Sequence, residues 1–135
     1  MSAGRVAIFG PGLIGGSIAM TLKSRGHEEI VMWCTQEDEL KEVTARGLAV
    51  RVTTDAADAV KEADLVVLCT PVGSMEHLAR SMSPGLSTKA VVTDAGSVKA
   101  CVVDRLTPIL GENFVGAHPM AGSEYSGLGL SLIHI

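Results

Sequence analysis

The hexapeptide GPGLIG, Gly10 to Gly15, constrains this chain more than any other feature. It follows the apolar run RVAIF (5 to 9) and opens a helix-forming stretch (13 to 26), so a strand must turn tightly and become a helix within it. Glycines at G-x-G-x-x-G spacing permit the tight turn, let the backbone approach a pyrophosphate, and let helix pack on strand. The N-terminus of the helix adds N–H donors and a positive dipole end. Gly10, Pro11, Gly12, Leu13, Ile14 and Gly15 are therefore candidate dinucleotide-binding residues. The alternative is a glycine turn that serves packing alone.

The remaining pattern agrees with the first reading. Short apolar runs alternate with longer helical ones: strands at 29 to 34, 50 to 53, 64 to 72, 90 to 94 and 114 to 117, and helices at 37 to 47, 55 to 63, 74 to 82 and 98 to 107. Gly26 and Gly47 stop two helices, and Thr54 or Asp55 caps a third. DLVVLCTPV (64 to 72) is apolar on both faces, as a strand covered by helices on each side must be. The expectation is one α/β domain, a doubly wound parallel sheet of Rossmann type. At 135 residues no second complete domain fits.

Composition narrows the partners. With 47% apolar residues, 19% charged and a net charge of −4, the chain lacks the basic face that nucleic acid requires. Cys34, Cys69 and Cys101 are odd in number, lack metal-ligand spacing and sit in or beside apolar segments, so they read as small core residues of a reduced, cytoplasmic protein, with no metal site. Arg5 and the apolar run after it imitate a signal peptide, but Pro11 and four glycines interrupt the run and Lys23 and Arg25 close it. No segment reaches the ~18 unbroken apolar residues of a membrane span.

The residue expected at the end of the second strand is an acid that holds the ribose hydroxyls of NAD. Cys34 stands there, followed by Thr35 and Gln36, with no arginine for a 2′-phosphate and with Glu37, Asp38 and Glu39 to repel one. NAD or NADP therefore stays open. Thr35 and Asp38 are spaced as a capping box for the next helix. DAGSVK (94 to 99) lies at a strand end, where ligands bind in open α/β sheets, although Ser97 also suits a helix N-cap. His118 ends the following strand in GAHPMAGSEYSG, where Pro119 holds its backbone extended. Its unperturbed pKa of ~6.5 suits a general base, and neighbouring strand ends can bring it to Ser97. His27 and His77 have no such company and read as solvent-facing.

GPGLIGGSIA, LVVLCTPVGSM, VTDAGSVK and VGAHPMAGSEYSG, in that order, resemble the prephenate dehydrogenase and arogenate dehydrogenase family of tyrosine biosynthesis, from about Arg5 to Gly129. The resemblance implies NAD(P)-dependent oxidative decarboxylation of prephenate to 4-hydroxyphenylpyruvate, or of arogenate to tyrosine. It implies that His118 takes the proton of the ring hydroxyl and that Ser97 positions both. Lys99, Ser123 and Glu124 become substrate contacts, and Thr70 and Pro71 join Cys34 and Thr35 beside the cofactor. The family's C-terminal helical domain, which forms a homodimer and closes over the small-molecule substrate, is not in this chain. A fragment without it should bind cofactor weakly and turn over little.

Residues 1–129 are thus expected to be the NAD(P)-binding domain, and 130–135 (LSLIHI) a tail foreign to it. The tail follows a glycine-rich loop without a turn or cap, and a nucleotide string able to encode it is the recognition end of a transposon used to prepare sequencing libraries. A genuine short strand is the alternative. Two other functions compete: a non-catalytic NAD(P) sensor with no need of Ser97 or His118, and a dehydrogenase for another small acid with a lysine base on a later helix.

Overall fold

The computed structural model describes residues 4–10, 12–95 and 99–116. Five strands, β1 (Val6–Phe9), β2 (Ile30–Trp33), β3 (Arg51–Thr53), β4 (Leu65–Leu68) and β5 (Val91–Asp94), form one parallel sheet in the order β3-β2-β1-β4-β5. Parallel neighbours need crossovers, which α1 (Leu13–Ser24), α2 (Glu37–Arg46), α3 (Ala56–Ala59) and α4 (Val72–Met82) supply; α5 (Lys99–Leu110) follows β5.

Alternation along the central strand explains the two layers. Val6 and Ile8 point to one face, into a core with Ile18 and Ala19 of α1 and Val43 of α2. Ala7 and Phe9 point to the other, into a core with Ala59 of α3, Met75 and Leu78 of α4, and Leu106 of α5. All four β1 residues are buried, as expected of a strand covered on both sides. The order reverses on either side of β1, so the crevice between the carboxyl ends of β1 and β4 is the topological switch point where such sheets take ligands.

Several expectations shift at element ends. The helix expected over 55 to 63 is a single turn, because the chain turns at 60 to 62, with Glu62 at φ 59°, to feed β4. Asp55 does cap it, accepting from the N–H groups of Ala57 and Asp58. α5 runs through Pro108 to Leu110: a proline in the last turn forfeits one helical hydrogen bond, and burial of Leu106 and Leu110 outweighs the loss. The last expected strand (114 to 117) is reduced, among the described residues, to one bridge between Phe114 and Val92.

Candidate functional site

β1 ends in the glycine turn, and the three glycines of the motif are there for three different reasons. Gly10 has φ +103°, a conformation that L side chains rarely adopt, while its N–H donates to the Trp33 carbonyl at 2.9 Å. Gly15 sits where helix meets strand, and a Cβ on it would lie 1.8 Å from the Gly10 carbonyl oxygen. Gly12 has φ −61° and a Cβ there would meet nothing within 4 Å among the described residues. Neither backbone nor packing requires a glycine at that position. What its bare backbone leaves is approach from outside, at the N-cap of α1, where N–H groups and the helix dipole favour an anion.

Across the switch point, the Cys69 N–H donates to the Phe9 carbonyl at 2.8 Å and fixes the segment leaving β4 beside that turn. Thr70 follows. Its Oγ1 is shut off from solvent and has no hydrogen-bond partner among the described residues. A buried hydroxyl without a partner costs free energy unless a ligand supplies one. Thr70 and exposed Pro71 help to line a cleft of about 410 Å³ that Trp33, Thr35 and Asp55 complete. The open backbone at Gly12 and the orphaned Thr70 hydroxyl both suit a dinucleotide laid across the carboxyl ends of β1, β2 and β4.

Beyond β2, Cys34 is fully buried among Ile8, Ile18 and Val43, and its N–H donates to the Thr53 carbonyl at 3.0 Å. Its thiol is a core group and not part of the cleft wall. Burial, with a smaller push from the Glu39 carboxylate, raises it to about 11. Cys69 is raised to about 12 by burial and then by Asp94. Both stay protonated near neutrality. Thr35, the first exposed residue past the strand, does not form the expected box with Asp38. The helix starts one residue later, so Glu39 is the residue that reaches back: its Oε1 accepts from the Thr35 hydroxyl at 2.6 Å, the Thr35 N–H at 3.1 Å and the Gln36 N–H at 3.3 Å. Glu39 also lines, with Gly12 and Ser17, a second cleft of about 490 Å³ between α1 and α2.

Ile14 stands exposed on the first turn of α1. Pro11, Ser97, His118, Ser123, Glu124, His134 and the tail at 130–135 lie outside the described residues, as do the side chains of Leu13, Lys99 and Cys101. β5 nevertheless carries the chain to the edge where Ser97 was expected, since the Ala95 N–H donates to the Leu68 carbonyl at 2.9 Å. Two carboxylates are at this edge, one that sequence reasoning placed only within a run of acids repelling a 2′-phosphate and one that it did not place. Glu39 is one; Asp94, only 1% exposed at the end of β5, is the other. An acid closing an apolar strand was the signal for Asp94, because a buried polar group is retained only where it is paired or used. His77 is exposed as expected, whereas His27 is half-buried. Among the described residues no cluster could hold a metal ion, and no helix is long and apolar enough to cross a membrane.

Comparison with known proteins gives this geometry a family. The nucleotide-binding domain of prephenate dehydrogenase matches residues 18–133. The chain is 39% identical over 124 residues to the cyclohexadienyl dehydrogenase of Zymomonas mobilis, covering 90% of this chain and 42% of that protein. It is 39% identical over 133 residues to the prephenate dehydrogenase of Bacillus subtilis, covering 91% and 34%. The crystal structure of prephenate dehydrogenase from A. aeolicus in complex with hydroxyphenyl propionate and NAD+ superposes with a TM-score of 0.81 at 36% identity, over 93% of this chain and 44% of that one. For Synechocystis arogenate dehydrogenase the TM-score is 0.79 at 30% identity, over 90% and 42%. This chain spans between 34% and 42% of the length of those two curated relatives. It belongs to the prephenate dehydrogenase family, in that family's nucleotide-binding domain.

Proposed function

We propose, from that membership, that this chain is the nucleotide-binding part of an NAD(P)-dependent dehydrogenase that oxidatively decarboxylates prephenate to 4-hydroxyphenylpyruvate. The observation that carries the reading is the glycine turn at the switch point, with Gly12 exposed and no packing among the described residues that requires a glycine there. The turn and the α1 N-terminus would hold the pyrophosphate, the Thr70 hydroxyl would gain its missing partner, and Thr35 and Pro71 would flank the adenosine. The nicotinamide supplies the hydride acceptor. His118 would take the proton of the ring hydroxyl, and Ser97 would hold the histidine and that hydroxyl together. Loss of carbon dioxide then aromatises the ring and drives the step forward. Lys99, Ser123 and Glu124 would meet the substrate. Arogenate, giving tyrosine, is the second reading, supported by the resemblance to the Synechocystis arogenate dehydrogenase. A homodimer built through the rest of the parent protein belongs to the same proposal.

The test is to express a full-length protein that carries this domain and to follow NAD and NADP reduction with prephenate and with arogenate. Turnover with either supports the reading and separates the two substrates. Within that protein, His118→Asn should lower turnover by about 10² to 10⁴, the usual worth of a general base. A loss of only a few-fold would remove His118 from that role. Intact cofactor binding without turnover on either substrate would move the weight to a sensor or another dehydrogenase.

A further inference from the structure

We infer that Glu39 makes this nucleotide site select NAD over NADP, its carboxylate being fixed at the carboxyl end of β2 beside the glycine turn. The inference rests on the dinucleotide reading and adds the choice between the two cofactors.

The acid that ordinarily reads the adenosine ribose is the last residue of the second strand. Here that residue is Cys34, buried and turned into the core. A carboxylate reaches the same end of the strand from five residues farther on. One oxygen of Glu39 is held by the hydroxyl and N–H of Thr35 and by the N–H of Gln36, so the charge is pinned against the first residue past β2 and does not swing in solvent. Its other oxygen accepts no hydrogen bond among the described residues, and the side chain borders the same cleft as Gly12. The vicinal hydroxyls of a ribose are donors to such an oxygen. A 2′-phosphate offers only acceptors and negative charge.

No salt bridge to Glu39 is present among the described residues. Lys41 is two residues on and projects from another side of α2. Arg46, two helical turns along α2, lines the same cleft as Glu39 and Gly12, but its guanidinium lies against the sulfur of Met20 and makes no ion pair with Glu39 among the described residues. Glu37 and Asp38 add to the negative end of the strand.

Trp33, the only tryptophan, lines the cleft beside Thr35 and reports binding directly. The 135-residue chain is titrated with NAD+ and NADP+, and with AMP and adenosine 2′,5′-bisphosphate to isolate the 2′-phosphate, following Trp33 emission. Wild type should favour NAD+ and AMP by about tenfold or more, and the preference should shrink between 50 and 500 mM salt, as a charge effect does. Glu39→Gln, which can still accept from Thr35, should bring each pair within about threefold, chiefly by tighter binding of the 2′-phosphorylated member. Glu112→Gln removes the same charge from an exposed position outside both clefts, in the turn after α5, and should leave the preference intact. Thr35→Ala, which removes one of the three hydrogen bonds that hold the carboxylate without neutralising it, should narrow the preference partway and serves if the glutamine variant does not fold. Equal binding or an NADP+ preference in wild type overturns the inference, as does a Glu39→Gln variant that keeps the full preference. Folded protein that binds none of the four overturns the dinucleotide reading itself.

Discussion

Replacing Gly15 with alanine tests the geometry that makes the glycine turn a turn. In an open helix the change would stabilise by about 1 kcal/mol, through better helix propensity. Here the new Cβ would lie 1.8 Å from the Gly10 carbonyl oxygen and 3.0 Å from its carbon, both backbone atoms. Gly10 cannot yield, because its N–H is tied to Trp33 and its other side faces the Cys69 carbonyl. The first turns of α1 must therefore retreat from β1 by about 1 Å, loosening Ile18 and Ala19 against Ile8. Overpacking of this kind costs ~1–3 kcal/mol and sometimes more, and rigid backbone on both sides puts it at the upper end. After the propensity gain, a net loss of about 2–3 kcal/mol is expected, lowering the melting midpoint by roughly 10 °C. Urea unfolding followed through Trp33 would measure it. Gly12→Ala is the counterpart: its Cβ meets nothing, so stability should fall by no more than about 1 kcal/mol for the poorer N-cap, while nucleotide affinity falls tenfold or more. A Gly15→Ala protein as stable as wild type would refute the packing argument. A Gly12→Ala protein with unchanged affinity would refute the assignment of the turn to a pyrophosphate.

Thr70→Val removes the orphaned hydroxyl at nearly constant volume, so the free protein should be as stable as wild type or up to about 1 kcal/mol more stable, with weaker nucleotide binding. Calorimetry with and without NAD+ separates the two effects, and unchanged affinity would show that the hydroxyl does not serve the ligand. The two raised thiols predict a pH dependence. Both are neutral in the folded chain up to about 11 and 12, whereas in the unfolded chain they ionise near 9.0, so the unfolded state loses protons first and stability declines from about pH 9 upward. Below that window the two thiols contribute no slope. A Cys34→Ser, Cys69→Ser variant should show a shallower decline, and an identical one would mean that other groups carry it.

Much of this fold is legible in the sequence because parallel sheets leave a blunt signal. LVVL of β4 and VAIF of β1 are apolar without alternation, and only strands covered on both faces need that. Legibility fails where tertiary packing competes with local grammar. Pro108 argues for a helix end, yet buried Leu106 and Leu110, on either side of it, hold α5 together; Asp55 caps a helix as expected, yet the helix lasts one turn. At the turn, the glycine spacing announces a nucleotide but not which glycine does what. Gly10 is demanded by its φ, Gly15 by its neighbour, and Gly12 by neither, a distinction that exists only once helix and strand are packed.

Glu39 shows why a missing motif residue is not a missing function. A search at the strand end finds Cys34 and, after it, a run of three acids with nothing to single one out, because the spacing rule counts along the chain. The structure counts differently: the helix that begins after Gln36 puts its third residue back over its own start, so a carboxylate five positions late arrives beside the strand end that Cys34 vacates. Its arrival depends on helix phase and not on distance in sequence. One residue inserted between Glu37 and Glu39 would turn the side chain by about 100° and carry the charge away from Thr35 while leaving the composition of the segment almost unchanged. A shift in helix start, invisible to any motif, would thus be enough to change which nucleotide this turn prefers.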